Sequence, residues 1–194
     1  MLEEKSQSTP RKPRADALRN REHILAVARK AFAEDGAKVT LDDIVRLSGL
    51  GVGTLYRHFP NRDALLEALY WSELEKLSSA EQELGATLPP TEALQEWLYL
   101  FIDMIATKLA LKEALSAMMS GTDELYVAST ELIQRSITSL TDRAVSSGDI
   151  RLAVDPLDLL RAVAGIAHAN PSPDWQDNAR RLVDMLIAGM RTKG

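Results

Sequence analysis

Thr54, Tyr56, Arg57 and His58 place four hydrogen-bonding side chains within five residues, directly after the run Gly51-Val52-Gly53. Side chains of this kind donate to base edges and to phosphate oxygens. Glycines at the start of a helix let another backbone come close, and a helix N-terminus attracts anions. Thr40 heads a second such terminus, and Arg62 heads a third. Other chemistry is not legible. With Cys 0, neither a disulfide nor a thiolate zinc site can form. The three His, at positions 23, 58 and 168, do not cluster with carboxylates at metal-ligand spacing, so no metal is expected. Gly49-x-Gly51-x-Gly53 has the wrong spacing for a dinucleotide loop, and no strand precedes it. No nucleophile–base pair or carboxylate pair stands at a recognisable spacing, so neither an enzyme nor a cofactor is expected.

The elements that must carry these residues read as helices throughout. Ile24, Leu25, Ala28, Ala31 and Phe32 form an apolar stripe on a helix that starts near Asp16 and ends at Gly36. Thr40 caps the next helix, with Asp43 completing a capping box. Leu41, Ile44, Val45 and Leu47 supply its buried side, and Gly49 closes it. A tight turn over Leu50–Gly53 leads into a short third helix, anchored by Leu55 and Phe59 and stopped by Pro60. A short helix, a glycine turn and another short helix make a helix-turn-helix. Asn61 caps a fourth helix that runs to about Leu84, and residues 85–90 break the chain. Thr91 is expected to cap a fifth helix, apolar around most of its circumference and therefore central. Leu111–Met119, Asp123–Ser146, a segment from Pro156 to about Asn170, and Asp174–Met190 complete the set. The fold class is all-α, with about nine helices: an N-terminal three-helix helix-turn-helix domain and a C-terminal helical bundle. The expected division is a disordered basic arm over 1–17, the helix-turn-helix domain over 18–66, and a ligand-binding and dimerisation domain over 67–194.

Charge is distributed unevenly. The whole chain of 194 residues carries −5, but residues 1–63 hold a net +3 and the rest a net −8. A basic module on an acidic body fits a reader of nucleic acid attached to something else. The first 30 residues contain no apolar core of a secretory signal. No run of 18 apolar residues occurs, so no membrane span is expected and the cytoplasm is the expected compartment.

Residues 23–70 resemble the DNA-binding domain of the TetR (tetracycline repressor) family. The resemblance rests on Phe32…Gly36, on Thr40…Asp43-Ile44 and on the block Gly53-Thr54-Leu55-Tyr56-Arg57-His58-Phe59-Pro60-Asn61-Arg62. It implies a regulator that binds a double-stranded DNA operator. It also implies that Thr40 and the helix below it hold a phosphate. Gly51, Val52, Gly53, Thr54 and Arg57 then face the major groove, and Tyr56 and His58 contact phosphate with Arg62 nearby. Val52 departs from a hydrogen-bonding type, so a thymine methyl is its expected contact.

The acidic body has two expected tasks. Leu159, Leu160, Val163 and Ala167 line one C-terminal helix, and Leu182, Val183, Leu186, Ile187 and Met190 line the other. Gly165 and Gly189 permit close approach. In the resembled family these two helices pair with their copies, so a homodimer is expected. Trp97, Phe101, Met104, Ile105, Met118, Met119 and Tyr126 are candidate walls for a small apolar or amphipathic effector, with His168 a further candidate. The resemblance therefore points to a repressor released by a ligand. Two other readings are a helix-turn-helix adaptor that binds protein partners and an all-helical enzyme.

Overall fold

The computed structural model describes residues 12–111, 123–169 and 174–192. Among them lie eight α-helices and no strand: α1 (Lys12–Asp35), α2 (Leu41–Ser48), α3 (Val52–His58), α4 (Arg62–Thr87), α5 (Pro90–Ala110), α6 (Asp123–Ser146), α7 (Pro156–Ala169) and α8 (Trp175–Met190). The all-α architecture stands as expected. The proposed helix Leu111–Met119 falls, beyond Leu111, outside the described residues, as do Met118 and Met119. Helix α1 reaches back to Lys12, so residues 12–17, expected in the disordered arm, are helical.

Capping sets the reader's boundaries. Thr40 and Asp43 form the expected capping box, and Gly49 ends α2 in the left-handed region at φ 65°. Helix α3 begins at Val52 with Gly51 at its cap, so Val52 and Gly53 belong to the helix rather than to a turn. Asn61 caps α4 by accepting from the Ala64 N–H at 2.8 Å.

Two expectations fail for clear reasons. Leu47 is exposed while Ser48 is buried. The Ser48 hydroxyl donates to the Val45 carbonyl at 3.1 Å and accepts from the Leu50 N–H, so its polarity is satisfied inside and Ser48 takes the inward position. Thr91 does not cap α5. Pro89 occupies the cap and Pro90 the first turn, where a missing N–H costs nothing.

Gly85 does not end α4, which continues to Thr87. A Cβ there would meet the Arg143 guanidinium. Arg143 on α6 donates to the Gly85 carbonyl across that gap. The glycine is thus the seat of an interhelical contact.

Helix α5 is central, as its sequence predicts. It packs against α1, α4, α6, α7 and α8. Leu94, Trp97, Leu98, Phe101, Ile102, Met104 and Ile105 are all buried. The Trp97 indole donates to the Leu77 carbonyl of α4 at 2.8 Å and stacks on Phe101 with ring centroids 6.0 Å apart. The buried side chains form one continuous cluster from Ile24 in α1 to Ile187 in α8. Reader and body therefore share a core, and α4, 26 residues long, passes from one to the other.

Candidate nucleic-acid interface

Leu55 and Phe59 are buried in the shared core, and α3 packs against α2. Two further contacts brace this packing. The Arg21 guanidinium lies 5.6 Å from the Phe59 ring centroid, a cation–π distance. His23 on α1 is 3.0 Å from the Ser48 carbonyl at the end of α2. Neither was assigned from the sequence, because each depends on the angle between helices rather than on local spacing.

With one face so anchored, α3 turns the other outward. Gly51, Val52, Gly53, Tyr56 and Arg57 are exposed, and Val52 is 56% accessible despite being apolar. Thr54 and His58 are half-buried at the edges of this face. Tyr56 and Arg57 stand one helical turn beyond Gly53, at i+3 and i+4, and so flank it. The Arg57 Nε donates back to the Gly53 carbonyl at 2.9 Å.

Gly53 is glycine without an internal cause. Its φ is not positive, and a Cβ built on it meets nothing within 4 Å; the same holds for Gly51. A glycine inside a helix costs roughly 0.5–1 kcal/mol relative to alanine. At Gly85 the Arg143 guanidinium stands where a Cβ would be, whereas among the described residues nothing lies within 4 Å of a Cβ at Gly53. The bare patch between Tyr56 and Arg57 fits close approach by a molecule from outside.

The Thr40 terminus is built differently from its expected use. The Thr40 hydroxyl donates to the Asp43 carboxylate at 2.6 Å while accepting from the Asp43 N–H at 3.2 Å. Its proton is committed to Asp43 and the Asp43 N–H to Thr40, so the groups α2 offers an anion are the N–H groups of Leu41 and Asp42, which have no carbonyl partner within the helix. The Thr40 hydroxyl, then the Thr40 N–H and Arg46, hold the Asp43 carboxyl below its ordinary 3.8. A depressed carboxyl favours the folded state above 3.8, and this contribution fades as pH falls through the lower folded value. In an NMR titration the Asp43 carboxyl is expected to titrate below 3.8. The gap in melting temperature between wild type and Asp43→Asn is expected to close in the same acidic range.

Arg62 is half-buried and engaged inside the domain. Its Nε donates to the Val39 carbonyl at 3.1 Å, and its guanidinium lies 5.3 Å from the Phe32 ring centroid. It pins the start of α4 to the connection between α1 and α2.

The residues expected to pair two copies divide between the two sides of their helices. Leu159, Leu160, Val163, Ala167, Val183 and Ile187 are buried within the protomer, so they serve its own packing rather than a partner. Leu182, Leu186 and Met190 are half-buried. The outward stripe of α7 is Ala162, Gly165 and Ala169, and that of α8 includes Met185, Ala188 and Gly189. Met185 is 71% exposed. Gly165 and Gly189, like Gly53, have ordinary φ and open space where a Cβ would stand. Beside Gly189 opens a groove lined by Leu152, Val154, Leu159, Leu186 and Met190.

Of the expected effector walls, Trp97, Phe101, Met104 and Ile105 lie in the packed core of α5. The side chains of Tyr126 and His168 fall outside the described residues, although both positions are helical. Among the described residues no group of His, Cys, Asp and Glu could hold a metal ion.

Known proteins repeat this arrangement. Residues 24–69 match the family model described as "Bacterial regulatory proteins, tetR family". Residues 89–192 match the one described as "Transcriptional regulator SbtR-like, C-terminal domain". A solved TetR transcriptional regulator from Streptomyces coelicolor is 41% identical, with a TM-score of 0.80 over 90% of this chain and 99% of its own. A TetR transcription regulatory protein from Mycobacterium vanbaalenii is 30% identical, with a TM-score of 0.73 over 92% of this chain and 99% of its own. An uncharacterised HTH-type transcriptional regulator of Bacillus subtilis is 29% identical over 141 residues, 70% of this chain and 72% of its own. An HTH-type transcriptional regulator of Staphylococcus aureus is 42% identical over 53 residues. That match spans 27% of this chain and under a third of the relative's length, 29%.

Proposed function

The chain belongs to the TetR family of bacterial transcriptional regulators, and from that premise we propose that it is a homodimeric repressor, held on a palindromic operator in the cytoplasm and released by a small apolar or amphipathic ligand. It is a DNA-binding transcriptional regulator, and its family and fold are those of regulators rather than enzymes. No helix among the described residues is long and apolar enough to cross a membrane.

The observation that carries the DNA reading is the outer face of α3: an open Gly53 flanked by exposed Tyr56 and Arg57. An adaptor that docked on protein would gain nothing from a bare helix start beside a basic side chain, whereas a phosphate or base edge needs both. Two such helices in a dimer must stand about 34–36 Å apart to enter successive major grooves on one side of the duplex. Pairing through the outer stripes of α7 and α8 supplies the second copy.

Release follows as a shift between two arrangements of α4. Trp97 of α5 holds α4 through the Leu77 carbonyl, and Tyr70 of α4 donates to Ser129 of α6 at 3.2 Å. A ligand admitted between α5 and α6 would repack both contacts and tilt α4, moving α3 out of register with its copy. Taking the DNA-bound population from 99:1 to 1:99 requires a ligand that prefers the released state by roughly 5.5 kcal/mol.

The test is an anisotropy titration on duplexes selected from a random pool, at two salt concentrations. Arg57→Ala is expected to cost about 1–3 kcal/mol on the selected site and much less on a scrambled one. Tyr56→Phe is expected to weaken both duplexes alike, as the loss of a phosphate contact does. Wild-type protein without preference for any duplex sequence would overturn the reading.

A further inference from the structure

Glu73 is the one buried charged residue among those described. It lies on α4 just past Leu69 and Tyr70, whose side chains belong to the shared core. The Arg29 Nε of α1 donates to its Oε1 at 2.6 Å, and Lys76, one turn along α4, stands 3.3 Å from the same oxygen. Arg29 is itself only 30% exposed at the side chain. Lys76 shares Glu73's helix and adds no constraint between elements. Arg29 belongs to the reader's first helix, 44 residues away in sequence.

A buried ion pair is a poor way to gain stability, because desolvation takes back most of the attraction, and apolar side chains of similar size do as well. Its directional hydrogen bonds instead restrict how two elements can be set against each other. Apolar packing between α1 and α4 tolerates a small rotation or slide; a guanidinium bonded to a sequestered carboxylate does not.

We propose that the Arg29–Glu73 pair is the positioning contact that sets the angle of the reader on α4, and so fixes the half-site spacing that the dimer accepts. This rests on the reading of the protein as a dimer on a palindromic operator. Neither residue faces DNA in that reading; the pair acts through the placement of α3. Moving one half-site by one base pair displaces it roughly 3.4 Å along the duplex and about 35° around it. A rigidly set reader cannot follow that displacement, and a reader free to pivot on α4 recovers part of it.

The experiment uses the full chain. A selected duplex is rebuilt with its half-sites one base pair closer and one base pair farther apart, and affinity is measured on all three. Wild type is expected to lose at least tenfold on both altered duplexes. Glu73→Gln is expected to bind the three within threefold of one another, with lower affinity on the original. Arg29→Lys keeps the charge but loses the fork, stays folded where Glu73→Gln is marginal, and is expected to flatten the profile in the same way. The double variant Arg29→Gln/Glu73→Gln is expected to match the single variants, since one contact is removed in each. Folded variants that keep the sharp wild-type profile at lower overall affinity would overturn the proposal, leaving the pair a purely structural one. A wild type that binds all three duplexes equally would overturn the proposal together with the paired half-site reading beneath it.

Discussion

Met185→Glu is expected to yield a monomer in sedimentation, and its affinity for the selected operator is expected to fall by a factor of about 10² to 10⁴, the range by which a linked second contact exceeds a single one. Met185 is 71% exposed, so the substitution leaves the protomer's own core untouched. Surface changes of this sort usually alter stability by no more than about 0.5 kcal/mol. In a two-fold assembly the same patch meets its own copy, so one substitution introduces two carboxylates into one contact. The surface that receives them is fixed by how α8 is held. Gln95, Tyr99 and Asp103 of α5 bond in order to Asp184, Asp184 and Arg180 of α8, and Gln176 also reaches Asp103. This ladder along one side of α8 sets its rotation and leaves Met185, Ala188 and Gly189 outward. Gly165→Gln, which fills the open position on α7, is expected to weaken the dimer by the same steric logic. If Met185→Glu sediments as a dimer at low micromolar concentration, the copies pair through another face.

The sequence declares local features well and rotational ones poorly. The Thr40–Asp43 box, the Asn61 cap and the buried circuit of α5 depend on spacing within one helix, and each is where its residues place it. Which side of α7 and α8 looks outward depends on partners elsewhere in the chain. Both helices are apolar over a wide arc, so Val163 and Val183 read as well for a partner as for the core they fill. Short helices carry the same ambiguity in another form: Ser48 is buried and Leu47 is not, because a hydroxyl can satisfy itself on its own backbone. Arg62 reads from its position as a phosphate ligand, while its bonds to the Val39 carbonyl and the Phe32 ring depend on how α1 and α4 meet and are not legible there. Glu73 was silent for the opposite reason. An acid one turn from a lysine looks like an ordinary surface pair until α1 closes over it.

Gly53→Ala is expected to raise the stability of the protein and to lower its affinity for DNA. The two effects have opposite signs, and that opposition identifies the position. Within a helix, alanine is favoured over glycine by about 0.5–1 kcal/mol. The Gly53 φ is ordinary and nothing lies within 4 Å of the added methyl group, so none of that gain is taken back by strain or collision. Thermal unfolding is therefore expected to shift upward by a few degrees, in line with about 4–8 °C per kcal/mol for a small domain and less for a larger one. In the proposed operator complex, the methyl would occupy the space beside Tyr56 and Arg57 that the DNA backbone or a base edge enters. The complex either shifts outward, losing the hydrogen bonds made by both neighbours, or binds with a clash. A loss of about 1–3 kcal/mol, the worth of one good bidentate base contact, corresponds to roughly fivefold to 150-fold in affinity. A Gly53→Ala protein that melts higher and binds the operator as tightly as wild type would show that this glycine does not meet the DNA, and the interface would have to be rebuilt around Val52 and Tyr56.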